Sequence, residues 1–181
     1  MLSLKQYLQL DEGNPLARLY KHKQEGRHFA VLSAQRGSDE TTPEENNKRH
    51  EELKKKLTAQ GYAHKEVEGH WEGTKEKSIM VHAKGSGTEH GKQLYSDMKK
   101  HGEHYNQDSI FYHDHNGGKL HGTNETGYPG KGQTKPVGQV RYNKADSPFQ
   151  TETKPKSDKP LKPGRTSKGS ARFTTKPKYG E

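Results

Sequence analysis

The order of apolar segments predicts an α+β fold: a small ferredoxin-like β-α-β-β-α-β unit, two helices on one face of an antiparallel sheet, followed by an extended basic C-terminal tail. Three observations lead there. Most apolar side chains lie between Arg27 and Asp114, in short runs that alternate between strand and helix patterns. One helix start in that stretch carries several cap signals at once. From Gly122 onward, 7 of the chain's 9 prolines appear among Lys, Thr, Ser and Gly, a composition that buries too little surface to offset its ordering entropy.

The 181-residue length suits one domain and little more. An apolar fraction of 24% and a charged fraction of 30% exclude a single packed core spanning the chain. Charge is unevenly divided. Residues 1–120 hold 19 Lys/Arg and 18 Asp/Glu, whereas residues 121–181 hold 13 and 5, so nearly all of the net +9 lies in the tail. With no cysteine there is no disulfide framework, thiolate metal site or cysteine nucleophile. Apolar runs fall short of a membrane span, and Met1–Leu10 lacks the apolar centre of a secretory signal, so a soluble protein without membrane partners is expected.

Residues 1–26 read as two short helices. Ser3 caps the first, which carries Leu4, Tyr7 and Leu8, and Asn14-Pro15 opens the second, which carries Leu16, Leu19 and Tyr20. The α+β domain spans 27–121. Arg27–Ala34 is a buried-strand candidate. Thr42-Pro43-Glu44-Glu45 then combines an N-cap, Pro at the first helical position and a capping-box Glu; Leu53 and Leu57 follow four apart, and Gly61 supplies the left-handed stop. Tyr62–Trp71 and Lys77–Ala83 form a hairpin around Glu72–Lys75. Gly85-Ser86-Gly87-Thr88 leads into a helix with Leu94, Tyr95 and Met98 on one face, then a strand over Asp108–His113, a turn at Asn116-Gly117-Gly118 and a short return at Lys119-Leu120-His121.

Several constellations are candidate sites. Lys84, Gly85, Ser86 and Gly87, with Lys92, place backbone N–H groups and cations at a helix start, where an anion can bind. The spacing is not that of a P-loop, and Gly and Thr suit such a turn for conformational reasons alone. Arg36, Asn46, Asn47 and Arg49 form a possible polar site where the first strand meets its helix, or simply cap the loop. Glu76, His82, Asp108 and His113 lie on or beside strands, where converging side chains serve acid–base chemistry. All 12 histidines precede residue 122, which invites a metal reading: His113 and His115 share a face if their strand continues, His101 and His104 share a helix face, and Asp114 adds a carboxylate, a set suited to zinc, iron or nickel, although a His-rich polar chain forms such pairs by chance and no metal is assigned. Neither a catalytic set nor a cofactor is assigned.

The tail, residues 122–181, carries Lys131, Lys135, Arg141, Lys144, Lys154, Lys156, Lys159, Lys162, Arg165, Lys168, Arg172, Lys176 and Lys178. Cations on a Pro-rich backbone can track a phosphate chain without reading sequence, or thread along an acidic protein surface. Tyr128, Tyr142, Phe149, Phe173 and Tyr179 add aromatic faces for stacking.

At His28–Ser33, Glu45–Leu57, Glu76–Val81 and Gln107–Phe111 the chain resembles small tailed-bacteriophage proteins of unassigned function. More loosely, over about residues 27–115, it resembles a bacterial and phage domain family of unknown function, with Asn46-Asn47, Glu76-Lys77-Ser78 and Gln107-Asp108-Ser109-Ile110-Phe111 at the matching places. The resemblance implies a virion or host-cytoplasm setting and supplies no catalytic residue. The leading expectation is therefore a non-enzymatic phage protein whose α+β domain docks while its basic tail binds nucleic acid, DNA above all, or threads along acidic virion proteins (capsid, portal or ejected). The competing expectation is a small enzyme or host-defence antagonist that binds a nucleotide-like anion near Lys84–Lys92 and Arg36–Arg49.

Overall fold

The computed structural model describes residues 25–71 and 74–138, together with 141–142, 150–153 and 172–174. Six strands, β1 (Phe29–Leu32), β2 (His64–Trp71), β3 (Thr74–His82), β4 (Ser109–Asp114), β5 (Gly117–Gly122) and β6 (Thr134–Gly138), form an antiparallel sheet in the order β6-β5-β4-β1-β3-β2. Helix α1 (Pro43–Ala59) joins β1 to β2, and α2 (Thr88–His104) joins β3 to β4. Among the described residues the fold is thus α+β with two helices and an antiparallel sheet, as the segment pattern predicts. Three short strands, β7 (Arg141–Tyr142), β8 (Gln150–Thr153) and β9 (Arg172–Thr174), continue beyond β2 in the order β8-β9-β7. The two N-terminal helices expected from the sequence lie outside the described residues.

Alternation within the strands builds the core. Ala30 and Leu32 of β1, Ile79 and Val81 of β3, and Ile110 and Tyr112 of β4 pack with Leu53 and Leu57 of α1 and Leu94 and Met98 of α2. Each fully buried Leu or Ile contributes about 1.5–3 kcal/mol by leaving water. The intervening residues Phe29, Val31 and Met80 are buried as well, so the sheet holds apolar side chains on both faces. Phe29 lies ring over ring on His113, with centroids 4.9 Å apart.

Local chemistry accounts for the helix ends. The Thr42 hydroxyl accepts from the Glu45 N–H at 3.2 Å, Pro43 occupies the first turn, and Gly61 takes the left-handed φ of 76° after the C-cap at Gln60. On α2, Gly91 permits a close approach: a Cβ there would collide with the His28 imidazole. That imidazole bonds the Tyr112 hydroxyl at 2.6 Å, which in turn donates to the Gly91 carbonyl at 3.0 Å.

The hairpin and the tail differ from expectation. β2 and β3 pair out to Trp71↔Thr74, so the hairpin strands run closer together than a Glu72–Lys75 loop allows. Residues 122–138, read from sequence as the start of an extended tail, are folded onto the sheet. The Gly122 N–H donates to Gln133 O at 2.9 Å, Thr123 and Asn124 are buried, and β6 pairs with β5.

Candidate functional site

The antiparallel register that sets Leu32 opposite Ile79 ends β1 short of the start of β3, so the loop after β1 runs on beside the first residues of β3. There Ser33 donates its hydroxyl to Lys77 O at 2.7 Å and accepts from the Gln35 N–H at 3.0 Å, while the Lys77 N–H donates to Gln35 Oε1 at 2.9 Å. This locks the loop after β1 against β3 beside Glu76. The first turns of α1 close a second side: Asn46 accepts from the Arg36 N–H at 2.8 Å and donates to the Arg36 carbonyl at 2.9 Å. Arg49 donates to Ala34 O at 2.6 Å and Tyr105 O at 2.5 Å. The turn between α2 and β4 closes the third side, where Gln107 donates to Gln35 O at 2.6 Å.

Arg36 lies at the centre of this junction. Its Nε and Nη2 donate to the two Glu40 oxygens at 2.8 and 2.6 Å, and its Nη1 donates to Asn106 O at 2.6 Å and Asp108 Oδ1 at 3.1 Å. Asn106 is the one described non-glycine residue in the left-handed region, with φ 54°, a conformation Asn tolerates better than most residues. Asn124, beyond β5, donates to the same Asp108 oxygen at 2.9 Å. A Cβ on Gly127 would run into the Asp108 side chain, so this loop closes tightly over it. The Arg36 side chain is 14% exposed and that of Asp108 59%, which makes Arg36 an interior tie and Asp108 a rim group.

Glu76, next to Lys77 on β3, is half-buried. Burial pushes its carboxyl above the ordinary value of 4.5; Ser33 opposes this by hydrogen bonding, Asp108 adds to it and Arg36 draws it back. Arg36 itself is pushed up, chiefly by its Glu40 bonds, with burial opposing and Asp108 assisting. A partly buried carboxyl whose proton affinity is raised can accept or hold a proton or stand opposite a developing cation.

Residues of two groups read separately in the sequence therefore meet, Arg36, Asn46 and Arg49 from one and Asp108 from the other, and Glu76 adjoins Lys77, which Ser33 and Gln35 bond. Asn47 accepts from Lys77 Nζ at 2.9 Å on the neighbouring surface. His82 and His113 both pair with Phe29, at the far end of β1. Lys84, Gly85, Ser86, Gly87 and Lys92 also lie at that far end, since the Ala83 N–H donates to His28 O just before β1, so they do not join Arg36 and Arg49. Lys84 Nζ lies 4.7 Å from the Tyr62 ring centroid, and Lys92 pairs with Glu89 at 3.0 Å. β4 ends at Asp114, and the two histidines near it part company: His113 stacks on Phe29, whereas the His115 ring is 6.1 Å from that of His28. His101 bonds Gln60 at 2.8 Å, and His104 meets the Tyr105 ring edge-on.

Among the described residues the grouping with metal-ligand spacing is instead His50, Glu51 and Glu66, whose donor atoms lie within 4.8 Å of one another. It borders an open groove of about 350 Å³ also lined by Asn47, Val67 and Lys77. The Lys54 ammonium already sits against both carboxylates, 2.9 Å from Glu51 and 3.0 Å from Glu66. Of the tail cations, Lys131 pairs with Glu125 at 3.5 Å, Lys135 is exposed on β6, and Arg141 and Arg172 belong to β7 and β9. Lys144, Lys154, Lys156, Lys159, Lys162, Arg165, Lys168, Lys176 and Lys178 lie outside the described residues.

Fold and junction together define a small α+β protein with a half-buried acid at one end of its sheet, a candidate active site. Residues 30–159 match the S-adenosylmethionine lyase family, and because the match covers well over half of the 181 residues, the chain belongs to that family. No curated protein matches the chain. Membership corrects two expectations. The resemblance to a domain family of unknown function and to tailed-phage proteins gives way to a family defined by an activity. The reading as a non-enzymatic docking protein, a structural virion component with a DNA-binding tail, gives way to the enzyme class it competed with. The physical reason is that charge layout reports a bulk property, whereas the acid cleft depends on contacts between distant segments. Among the described residues, no helix is long and apolar enough to cross a membrane.

Proposed function

We propose that this chain cleaves S-adenosylmethionine by a lyase reaction at the Glu76 cleft. The observation that carries the reading is a half-buried carboxyl, raised by burial, on β3 next to the residue that Ser33 and Gln35 bond, inside the family-matched segment. The substrate's sulfonium supplies the driving force. When one of its carbon–sulfur bonds breaks, the electron pair stays on sulfur and gives a neutral thioether, without added water or reductant. The carbon released must then lose a neighbouring proton to a base or be captured by a nucleophile within the substrate itself. A carboxylate at the cleft serves either route, as the base in the first and as an anion holding the cationic substrate in the second.

The supporting fold reading is that β1–β4 with α1 and α2 form a ferredoxin-like unit, as their order β4-β1-β3-β2 and the shared core of the two helices suggest. In such a unit the β1–α1 loop and the start of β3 meet at one sheet end, which is where Glu76 and Arg36 lie.

Incubating the purified chain with S-adenosylmethionine and following substrate loss and thioether-nucleoside release by mass spectrometry tests the reading. Wild type is expected to turn over, and Glu76→Gln to lose on the order of 100-fold or more in kcat/KM. A wild-type chain that leaves the substrate intact overturns it, as does a fully active Glu76→Gln variant.

A further inference from the structure

Away from the Glu76 cleft, α1 and β2 meet through a pair of metal-ligating groups. His50 Nε2 on α1 lies 3.1 Å from Glu66 Oε1 on β2. Glu51, the next residue on α1, adds a second carboxylate, and the three donor atoms lie within 4.8 Å of one another at the wall of the groove. We propose that His50, Glu51 and Glu66 form a binding site for one divalent transition ion of the zinc class, with the Lys54 ammonium as its internal competitor. Glu66 stands opposite Ile79, on the sheet face that packs against the helices. Glu76, three residues from Ile79 along the same strand, is directed to the other face, so the inference does not depend on the reaction proposed above.

Two exposed acids alone would make no site; the imidazole beside them does. His50 is 3% exposed and lines the groove. Its Nδ1 is buried with no hydrogen-bond partner among the described residues, so exchanging the Glu66 contact for a metal bond breaks no second hydrogen bond of the ring. Two ligands of a tetrahedral zinc lie about 3.3 Å apart when each bond is about 2.0–2.1 Å long, close to the separation of Nε2 and Oε1. The Glu51 and Glu66 side chains are both more than half exposed, so they can turn to close the remaining distance and water can complete the shell. The spot already selects positive charge, since Lys54 Nζ lies 2.9 Å from Glu51 and 3.0 Å from Glu66. One ammonium balances one of the two carboxylates, whereas a divalent ion balances both, and the flexible lysine stem lets the ammonium leave for water. One nitrogen with two carboxylate oxygens suits Zn²⁺, Co²⁺ or Mn²⁺, while Mg²⁺ and Ca²⁺ favour oxygen alone. The bound ion would tie α1 to β2.

The test is calorimetric titration of the full, untagged chain with Zn²⁺, repeated with Co²⁺ for its visible absorption and accompanied by melting curves with each ion. Saturable binding of Zn²⁺ is expected, with a melting temperature that rises with ion concentration, whereas Mg²⁺ at the same concentrations is expected to shift neither readout. Because the chain has 12 histidines, variants locate the ion. Glu66→Gln and His50→Gln are each expected to weaken Zn²⁺ by more than the roughly 10-fold that loss of an outer-shell partner costs and to abolish the Co²⁺ absorption. Lys54→Met, which keeps the stem and removes the competitor, is expected to tighten binding. A wild type that binds neither ion saturably overturns the proposal, as does an affinity unchanged in Glu66→Gln, which would assign the ion to other histidines. Should His50→Gln fail to fold, Glu66→Gln decides, since its side chain is more than half exposed. An affinity unchanged in Lys54→Met overturns the role of the ammonium as competitor. None of these readouts requires cleavage of S-adenosylmethionine, so the proposed function and this site stand or fall separately.

Discussion

At the scale of single residues, Glu76 and Gly91 show two ways in which one position constrains the rest. A carboxyl raised above its ordinary 4.5 binds its proton more tightly in the folded chain than in the unfolded one. Its contribution to stability is therefore full below 4.5 and is lost as pH rises through the raised value. Above the raised value the charged, half-buried group opposes folding. Glu76→Gln is accordingly expected to melt at a higher temperature than wild type near neutrality, with the difference shrinking in acid, as calorimetry across pH would read. Paired with the loss of activity expected of Glu76→Gln, such a gain in stability would mark a residue kept for function. Gly91 acts by what it lacks. Gly91→Ala forces a methyl against the His28 imidazole, and overpacking of this kind costs about 1–3 kcal/mol. Urea unfolding should show it as a lower midpoint at unchanged slope.

At the scale of elements, α1 is the part of the fold most legible in the sequence, because a helix start is chemistry between neighbours. Thr42, Pro43 and Glu45 are consecutive or nearly so, and the bond they predict is present, from the Glu45 N–H to the Thr42 hydroxyl. Thr42→Ala is expected to cost about 1 kcal/mol, measurable by denaturant titration. β6 was illegible for the opposite reason. Thr134-Lys135-Pro136-Val137-Gly138 holds one buried apolar residue and a proline, and it is a strand only because β5 offers a partner. Pro136 lacks an N–H, which confines such a segment to a sheet edge, and a register shift at Gly118/Lys119 lies opposite it. The site falls between these cases. Arg36, Asn46, Arg49, Glu76 and Asp108 each stood out as residue types, but their meeting depends on the register of β1 on β3 and on the α2–β4 turn, which no local pattern encodes. Ser33, Glu40 and Asn124 give no separate signal; Asn106, just after a helix, offers one as a left-handed stop.

One further element contact titrates. His121 on β5 bonds the Tyr95 hydroxyl of α2 at 2.8 Å and the Thr134 hydroxyl of β6 at 3.1 Å. Burial chiefly, with Lys99 adding and Glu103 opposing, lowers it below the ordinary 6.5. The unfolded chain then takes up protons that the folded chain refuses, so stability present above 6.5 is lost as pH falls toward the lowered value. His28 and His101, both lowered chiefly by burial, act in the same direction. Melting temperature is expected to fall between about pH 8 and pH 5, and His121→Gln to remove part of that slope.

For the whole molecule, the junction at Glu76 draws on almost every described segment: the end of β1, the start of α1, the start of β3, the α2–β4 turn and the loop at Asn124. Its geometry is a property of the assembled sheet and cannot be grafted as a peptide. The position of β6 has a consequence of another kind. With β6 in place, β5 is an interior strand; a chain cut after Gly122 would turn β5 outward as a new border, with its N–H and C=O groups on that side unpaired. Such a shortened chain is expected to stick to copies of itself through added strands, with light scattering that grows with concentration while the full chain stays clear. The segment that looked most dispensable by composition thus keeps the sheet from recruiting its own kind.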